Sequence, residues 1–374
     1  MSNTTYIVKT LAGMEPVLAA ELTALGGTKV QELKRAVAFE GDQRLLYRAN
    51  YELRTALRIL MPIYDFTAQR EQHLYEGFRQ IDWSRHLGVN DTLAIDAVTQ
   101  GEVFRHSQYA AQLAKDAIVD QFRERMGRRP SVNVEAPTLR IHLRISGTFC
   151  EVLLDASGDS LHKRGYRKDT VDAPLNEVLA AGMVLLSGWN GQSPFVDPMC
   201  GSGTLPIEAA MIATHRSPQY LRPGFGFQKW KDYDAKLWQS VKAEADARVQ
   251  KNECPIYASD KESRARNATS LNLMAAGLEE VVQVEKIPFE KLEKPAPSGL
   301  LMANPPYDER LKVDDVAKFY ESIGDRLKQQ WTGWDAWLIS SNREALKHVG
   351  LRTEKRITLF NGPLECSFQH FPLF

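Results

Sequence analysis

Two stretches of this chain bring together residue types that could do chemistry. In Leu300-Leu301-Met302-Ala303-Asn304-Pro305-Pro306-Tyr307 an apolar run stops at a carboxamide, two prolines and a phenol. Proline donates no ladder hydrogen bond and holds its φ fixed, so the run predicts a strand that ends at Ala303. Asn304 to Tyr307 would then form a rigid lip at its carboxyl end. There the Asn304 side chain and the carbonyls of the Pro305-Pro306 turn can accept both hydrogens of a planar amine, while Tyr307 stacks on its ring. Asn304, Pro305, Pro306 and Tyr307 are therefore the catalytic candidates. Alone, the same residues also describe a strand closed by a proline-rich turn. A cofactor site on the same sheet edge would decide between the two.

The second stretch, Asp197-Pro198-Met199-Cys200-Gly201-Ser202-Gly203-Thr204, joins a strand at Phe195-Val196 to a helix opening at Thr204. Its glycines let the backbone pass close to a ligand and present N–H groups at a helix N-terminus. It is not a P-loop, because Thr204-Leu205 follow Gly203 where Lys and Ser or Thr are needed. Nor is it a dinucleotide fingerprint, since Pro206 stands where a third small residue belongs. Asp197, at the strand's end, suits a cationic or amine-bearing ligand. The next strand, Ile256-Tyr257-Ala258, leads to Asp260, whose carboxylate can take both hydroxyls of a ribose. An acid, a glycine turn and a ribose acid on successive strands, with Asn304–Tyr307 ending the fourth, describe a pocket for S-adenosylmethionine. Asp197, Pro198, Met199, Cys200, Gly201, Gly203, Thr204, Asp260 and Asn304 are its candidate contacts. Cys200 reads as a packed thiol rather than a nucleophile, and the chemistry requires no metal.

These residues need a sheet to position them, and from Ser193 onward strands and helices alternate as a parallel sheet demands. Strands are expected at 195–196, 256–258, 281–284, 299–303 and 336–339, closing on an antiparallel hairpin about Asn361-Gly362. A long insert, Arg216 to Glu253, interrupts the alternation and carries Pro223 to Trp230; an insert of that length beside a site is often functional. Upstream lie a small α/β unit (residues 1–66), with a helix expected from Arg44 to Leu60, and a second α+β module (67–157) built on a strong amphipathic helix from Ser107 to Arg125. A basic connector (158–173) leads to the domain at 174–374, which Ala173-Pro174-Leu175 opens as a helix.

The chain has 374 residues, with Lys+Arg and Asp+Glu both 47. A nucleic-acid partner must therefore be argued from local patches. Basic residues flank the Ser107–Arg125 helix: Arg105, His106 and Lys115 at one end, then Arg123, Arg125, Arg128 and Arg129. The connector Leu161-His162-Lys163-Arg164-Gly165-Tyr166-Arg167-Lys168 adds an aromatic to dense positive charge, which suits backbone phosphates and a stacked base. Arg105, Lys163, Arg164, Tyr166 and Arg167 are the candidate RNA contacts. No membrane-spanning stretch or signal peptide is evident, and four scattered cysteines fit neither zinc nor a disulfide framework. A cytoplasmic protein is expected.

Asp197–Thr204 together with Asn304–Tyr307 resembles the amino-group methyltransferases of the class I S-adenosylmethionine fold. The connector 161–167, Ala173-Pro174-Leu175 and the Phe225–Trp230 insert make the whole chain similar to the THUMP-domain rRNA methyltransferases, a bacterial family that makes N2-methylguanosine in 23S rRNA. The resemblance implies a ferredoxin-like unit and a THUMP module that helps hold RNA. It also implies a Rossmann-like methyltransferase domain in which Asp197, Gly201, Gly203 and Asp260 contact the cofactor. Two departures stand out: Lys286-Ile287-Pro288-Phe289-Glu290 lacks an acid where many relatives bind the cofactor's adenine amine, and Asp308 stands where they often have Gly. A tRNA guanine-N2 enzyme, a DNA or RNA adenine-N6 enzyme, and an RNA-binding protein with a vestigial catalytic domain remain alternatives.

Overall fold

The computed structural model describes residues 3–171, 174–306 and 313–374. In the first unit, strands β1 (Thr4–Lys9), β2 (Thr28–Leu33), β3 (Ala36–Gly41) and β4 (Arg58–Thr67) accompany helices α1 (Glu15–Ala24) and α2 (Gln43–Glu52). The helix expected to reach Leu60 thus stops at Glu52. Glu21 on α1 is the cause: its carboxylate accepts the backbone N–H groups of Arg54 at 2.8 Å and Thr55 at 3.0 Å. A continuing helix would have committed those amides to carbonyls four residues back. The chain turns there and leaves as β4.

The second module comprises α3 (Glu71–Gln80), β5 (Thr92–Gln100), α4 (Ser107–Met126), β6 (Ser131–Val132), β7 (Leu139–Ser146) and β8 (Phe149–Asp155). β4 serves both units: its first residues pair with β1 and the remainder with β8. The two modules consequently share one eight-stranded sheet, in the order β2-β3-β1-β4-β8-β7-β5-β6. Alternation along β7 sends Leu139, Ile141, Leu143 and Ile145 into a core with Phe78, Ile118 and Phe122.

Past the connector, Asn176 caps α5 (Glu177–Leu186), its side-chain oxygen accepting the Val178 and Leu179 N–H groups. Pro174 therefore precedes the helix rather than opening it, and Ala173 lies outside the described residues. The second sheet contains β9 (Phe195–Asp197), β10 (Ile256–Ser259), β11 (Val282–Glu285), β12 (Gly299–Ala303), β13 (Trp334–Ser340), β14 (Lys355–Asn361) and β15 (Leu364–Pro372). Its order is β11-β10-β9-β12-β13-β15-β14. The first five strands are parallel, and β15 runs antiparallel to both β13 and β14. Helices α6 (Thr204–Ala213), α7 (Ala235–Asp246), α8 (Ser263–Ala276), α9 (Val313–Gln330) and α10 (Arg343–Lys347) complete the domain. Connections run outward from β9 to β10 and β11 on one side, and from β12 to β13 on the other. Such a reversal opens a crevice at the strands' carboxyl ends.

The insert does not overhang that crevice. Its Phe225 and Phe227 are buried against α2, with Phe227 stacked on Tyr47 at 4.3 Å between ring centroids and the Tyr51 hydroxyl donating to Asp246 at 2.7 Å. Lys231 donates to the Leu87 carbonyl at 2.9 Å in the second module. Apolar burial and these bonds make the insert a strap that ties the second sheet's domain to the N-terminal units. Among the described residues no helix is long and apolar enough to cross a membrane.

Candidate active site

Three strand ends converge on a cavity of about 570 Å³. β9 ends on Asp197, β10 is followed directly by Asp260, and β12 by Asn304. All three side chains line the cavity, together with Pro198, Met199, Cys200, Gly201 and Thr204. Of the predicted cofactor contacts, Gly203 alone is absent from the wall. It caps α6 at φ 82°, packed so tightly on Thr269 that an added Cβ would sit 2.8 Å from the Thr269 methyl. Gly203 therefore shapes the loop from behind.

The loop is held from several sides. The Gly201 N–H donates to Asp260 Oδ2 at 3.1 Å, and the Thr269 hydroxyl donates to the Gly201 carbonyl at 2.9 Å. Asn272 Nδ2 donates to the Ser202 carbonyl at 2.9 Å. Asp197 is 1% exposed and accepts the Met199 N–H at 3.1 Å. Burial pushes its carboxyl up to about 8, the Asp260 carboxylate adding to the rise and the Met199 bond opposing it. A carboxyl raised in this way favours a cation beside it. Burial also raises the Cys200 thiol well above its usual range, as expected of a packed thiol and not of a nucleophile.

At the lip that follows β12, Asn304 Oδ1 is buried and accepts no hydrogen bond from the described residues. Pro305 and Pro306 line the same cavity, whereas Tyr307 and Asp308 lie outside the described residues. A buried acceptor with no partner is costly, on the order of 1–3 kcal/mol, and is a place where a ligand donor would fit.

The connector behaves differently from the expectation. Arg164 is 1% exposed, paired with Glu208 at 3.4 Å, and donates to the Leu161 and Arg54 carbonyls. Tyr166, also 1% exposed, donates its hydroxyl to Glu208 at 3.0 Å. Neither can grip a phosphate or stack on a base. Arg167 is turned inward as well, bound to Glu177 at 2.8 Å, Ser202 at 3.2 Å and Thr204 at 3.1 Å. Lys163 and Arg105 are exposed. At the end of α4, Arg123, Arg125 and Arg128 are engaged by Asp120, Asp82 and Asn90.

A family model described as an RMKL-like methyltransferase domain matches residues 164–370, the span that carries this cavity. The chain belongs to this methyltransferase family. Two further models, an RlmL ferredoxin-like domain and a THUMP domain, match residues 5–60 and 68–155. The ribosomal RNA large subunit methyltransferase K/L of Syntrophotalea carbinolica is 40% identical over 96% of the chain, which spans 52% of that relative. A Synechocystis protein named for an inferred RNA methyltransferase activity is 38% identical, over 99% of this chain and 97% of its own. The chain thus spans about half the length of the K/L relatives and nearly all of the Synechocystis one. A protein solved in complex with SAH superposes with a TM-score of 0.91 at 28% identity, covering 100% of this chain and 99% of that one.

Several lining residues were not among the predicted site residues. Val171, Leu175, Phe289, Glu290 and Phe319 are part of the cavity wall. Glu290 reaches it from a short 3-10 turn, Phe289–Lys291, two residues beyond Pro288. Thr269 and Asn272 support the loop from α8. Their signal was available: both are polar positions on the face of α8 that carries Ala265, Ala268, Leu273 and Ala276 inward.

Proposed function

We propose that this chain is an S-adenosylmethionine-dependent RNA methyltransferase that modifies the exocyclic N2 amine of a guanosine in 23S rRNA. One observation carries the reading. Asn304, whose Oδ1 is buried without a hydrogen-bond partner among the described residues, lines the same cavity as Asp197, Asp260 and the glycine loop, so an amine site and a cofactor site would share one chamber. The names of the K/L relatives support rRNA as the substrate, and the SAH complex of the structural relative supports the cofactor.

The residues present fit that cofactor. Gly201, at φ 55°, lets the backbone approach a ligand closely, Asp197 takes an ammonium, and Asp260 takes ribose hydroxyls. Bound there, the cofactor supplies an electrophilic sulfonium methyl. The guanine must leave its stack to reach the lip. Asn304 Oδ1 and the Pro305 carbonyl accept the two N2 hydrogens, which draws the nitrogen lone pair out of ring delocalisation and orients it. Positioning and preorganised acceptors supply the acceleration. Tyr307 stacks on the base in this reading. In this reading the chain comprises a ferredoxin-like unit (1–66), a THUMP module (67–157) that helps hold the RNA, with Arg105 and Lys163 on phosphates, the connector (158–173) and the catalytic domain (174–374).

Mass mapping of modified nucleosides in a deletion strain tests the proposal. Loss of one N2-methylguanosine from 23S rRNA, restored by the intact gene, is expected. An unchanged rRNA with a mark missing from tRNA, or a missing N6-methyladenosine, would overturn the substrate assignment.

A further inference from the structure

The basic connector is not a free RNA-gripping tract, yet its arginine and the buried asparagine behind it make an unusual number of directed contacts. Arg167 spreads its guanidinium over four acceptors from three elements. Nε donates to Glu177 Oε1 at 2.8 Å, Nη1 to the Ser202 hydroxyl at 3.2 Å, and Nη2 to both the Leu175 carbonyl at 3.0 Å and the Thr204 hydroxyl at 3.1 Å. Asn272 is fully buried and equally committed. Its Oδ1 accepts the N–H groups of Lys168 at 2.6 Å and Asp169 at 3.1 Å, while Nδ2 donates to the Asp169 carbonyl at 2.8 Å and the Ser202 carbonyl at 2.9 Å.

Both side chains therefore tie the same two pieces together. One is the glycine loop at Ser202–Thr204; the other is the connector's end, whose Val171 and Leu175 also line the cavity, a Val171 methyl lying 3.3 Å from where a Cβ on Gly201 would stand. Both pieces contribute to the chamber wall, and Arg167 and Asn272 are hydrogen-bonded joints between them. We propose that Arg167 and Asn272 are positioning residues for the methyl donor, clamping the connector to the glycine loop so that these adjoining parts of its pocket wall are fixed before it binds. The inference rests on the cofactor reading of the cavity. It gives the connector a second duty, in the methyl donor's pocket rather than on RNA.

Loss of an Arg167 bond, made by a charged group, corresponds to roughly a tenfold to hundredfold change in affinity, and loss of the neutral bonds of Asn272 to roughly tenfold. Calorimetric titration with S-adenosylhomocysteine, steady-state kinetics and RNA binding should be measured on the full chain for wild type, Arg167→Lys, Asn272→Ala and Ser202→Ala. Lysine keeps the charge but cannot fork over several acceptors. Arg167→Lys and Asn272→Ala are expected to raise the Kd for S-adenosylhomocysteine and the KM for S-adenosylmethionine about tenfold or more. The kcat at saturating cofactor and the RNA affinity should stay within about threefold of wild type. If Asn272→Ala fails to fold, Arg167→Lys and the milder Ser202→Ala carry the same test. Unchanged cofactor affinity with weakened RNA binding would overturn the clamp and return Arg167 to the RNA. A wild-type chain that binds no S-adenosylhomocysteine would instead overturn the cofactor reading beneath it.

Discussion

The Gly201 N–H and the Asp260 carboxylate meet at 3.1 Å across the tips of two neighbouring strands. Asp260 Oδ1 meanwhile accepts the Glu262 N–H at 3.0 Å. The carboxylate that would take ribose hydroxyls is thus already oriented by the glycine loop and by the turn into α8. A ligand meets a pre-set acceptor, which lowers the ordering cost of binding. Asp260→Ala should remove both the ribose acceptor and the loop's anchor. Cofactor affinity is expected to fall about a hundredfold or more by calorimetry, and retained affinity would contradict the role.

Gly203 makes a steric prediction. An alanine there must hold φ near 82° and place its Cβ against Thr269, the residue that fixes the Gly201 carbonyl. Gly203→Ala should destabilise the fold by roughly 1–3 kcal/mol and weaken cofactor binding with it. Denaturant midpoints of the two proteins check this.

Asp197 makes a pH prediction. Its ordinary pKa of 3.8 rises to about 8 on folding. Between those values the folded chain holds a proton that the unfolded chain has released, so its contribution to stability falls as pH rises from about 4 to about 8. Binding a cation beside Asp197 requires the carboxylate. Cofactor affinity should therefore climb from pH 6 to 8 with net proton release, visible as a buffer-dependent heat in calorimetry. Asp197→Asn should flatten the profile.

The connector separates two predictions that the sequence had merged. Arg164→Ala leaves Glu208 buried without its ion-pair partner and should cost on the order of 3–5 kcal/mol of stability. Lys163 is exposed, 3.8 Å from Asp159. Lys163→Ala should leave the melting temperature unchanged, weaken RNA binding modestly and reduce its salt dependence.

That contrast shows where the sequence was legible and where it was not. The strand ends at Asp197, Asp260 and Asn304 could be read because glycine, proline and acids punctuate apolar runs at the one edge where a parallel sheet binds ligands. The same order placed the antiparallel hairpin about Asn361-Gly362. The connector misled because charge and aromatic density look alike in a solvated tract and in a buried network. Only the fold brings Glu208 of α6 and Glu177 of α5 against Arg164, Tyr166 and Arg167. The helix expected to reach Leu60 failed for a related reason. Residues 53–60 suit helix or strand locally, and Glu21, more than thirty positions earlier, captures the amides that settle the choice. The insert's aromatics, likewise, reveal their partner only once α2 is in place.

Asn304 carries the central claim, and one pair of measurements on Asn304→Ala tests it: single-turnover methyl transfer to rRNA, and calorimetric binding of S-adenosylhomocysteine to the same preparation. The account predicts that transfer falls at least on the order of a hundredfold while the cofactor analogue binds within a few-fold of wild type. Transfer at the wild-type rate would contradict the assignment of Asn304 as the acceptor that holds the target amine.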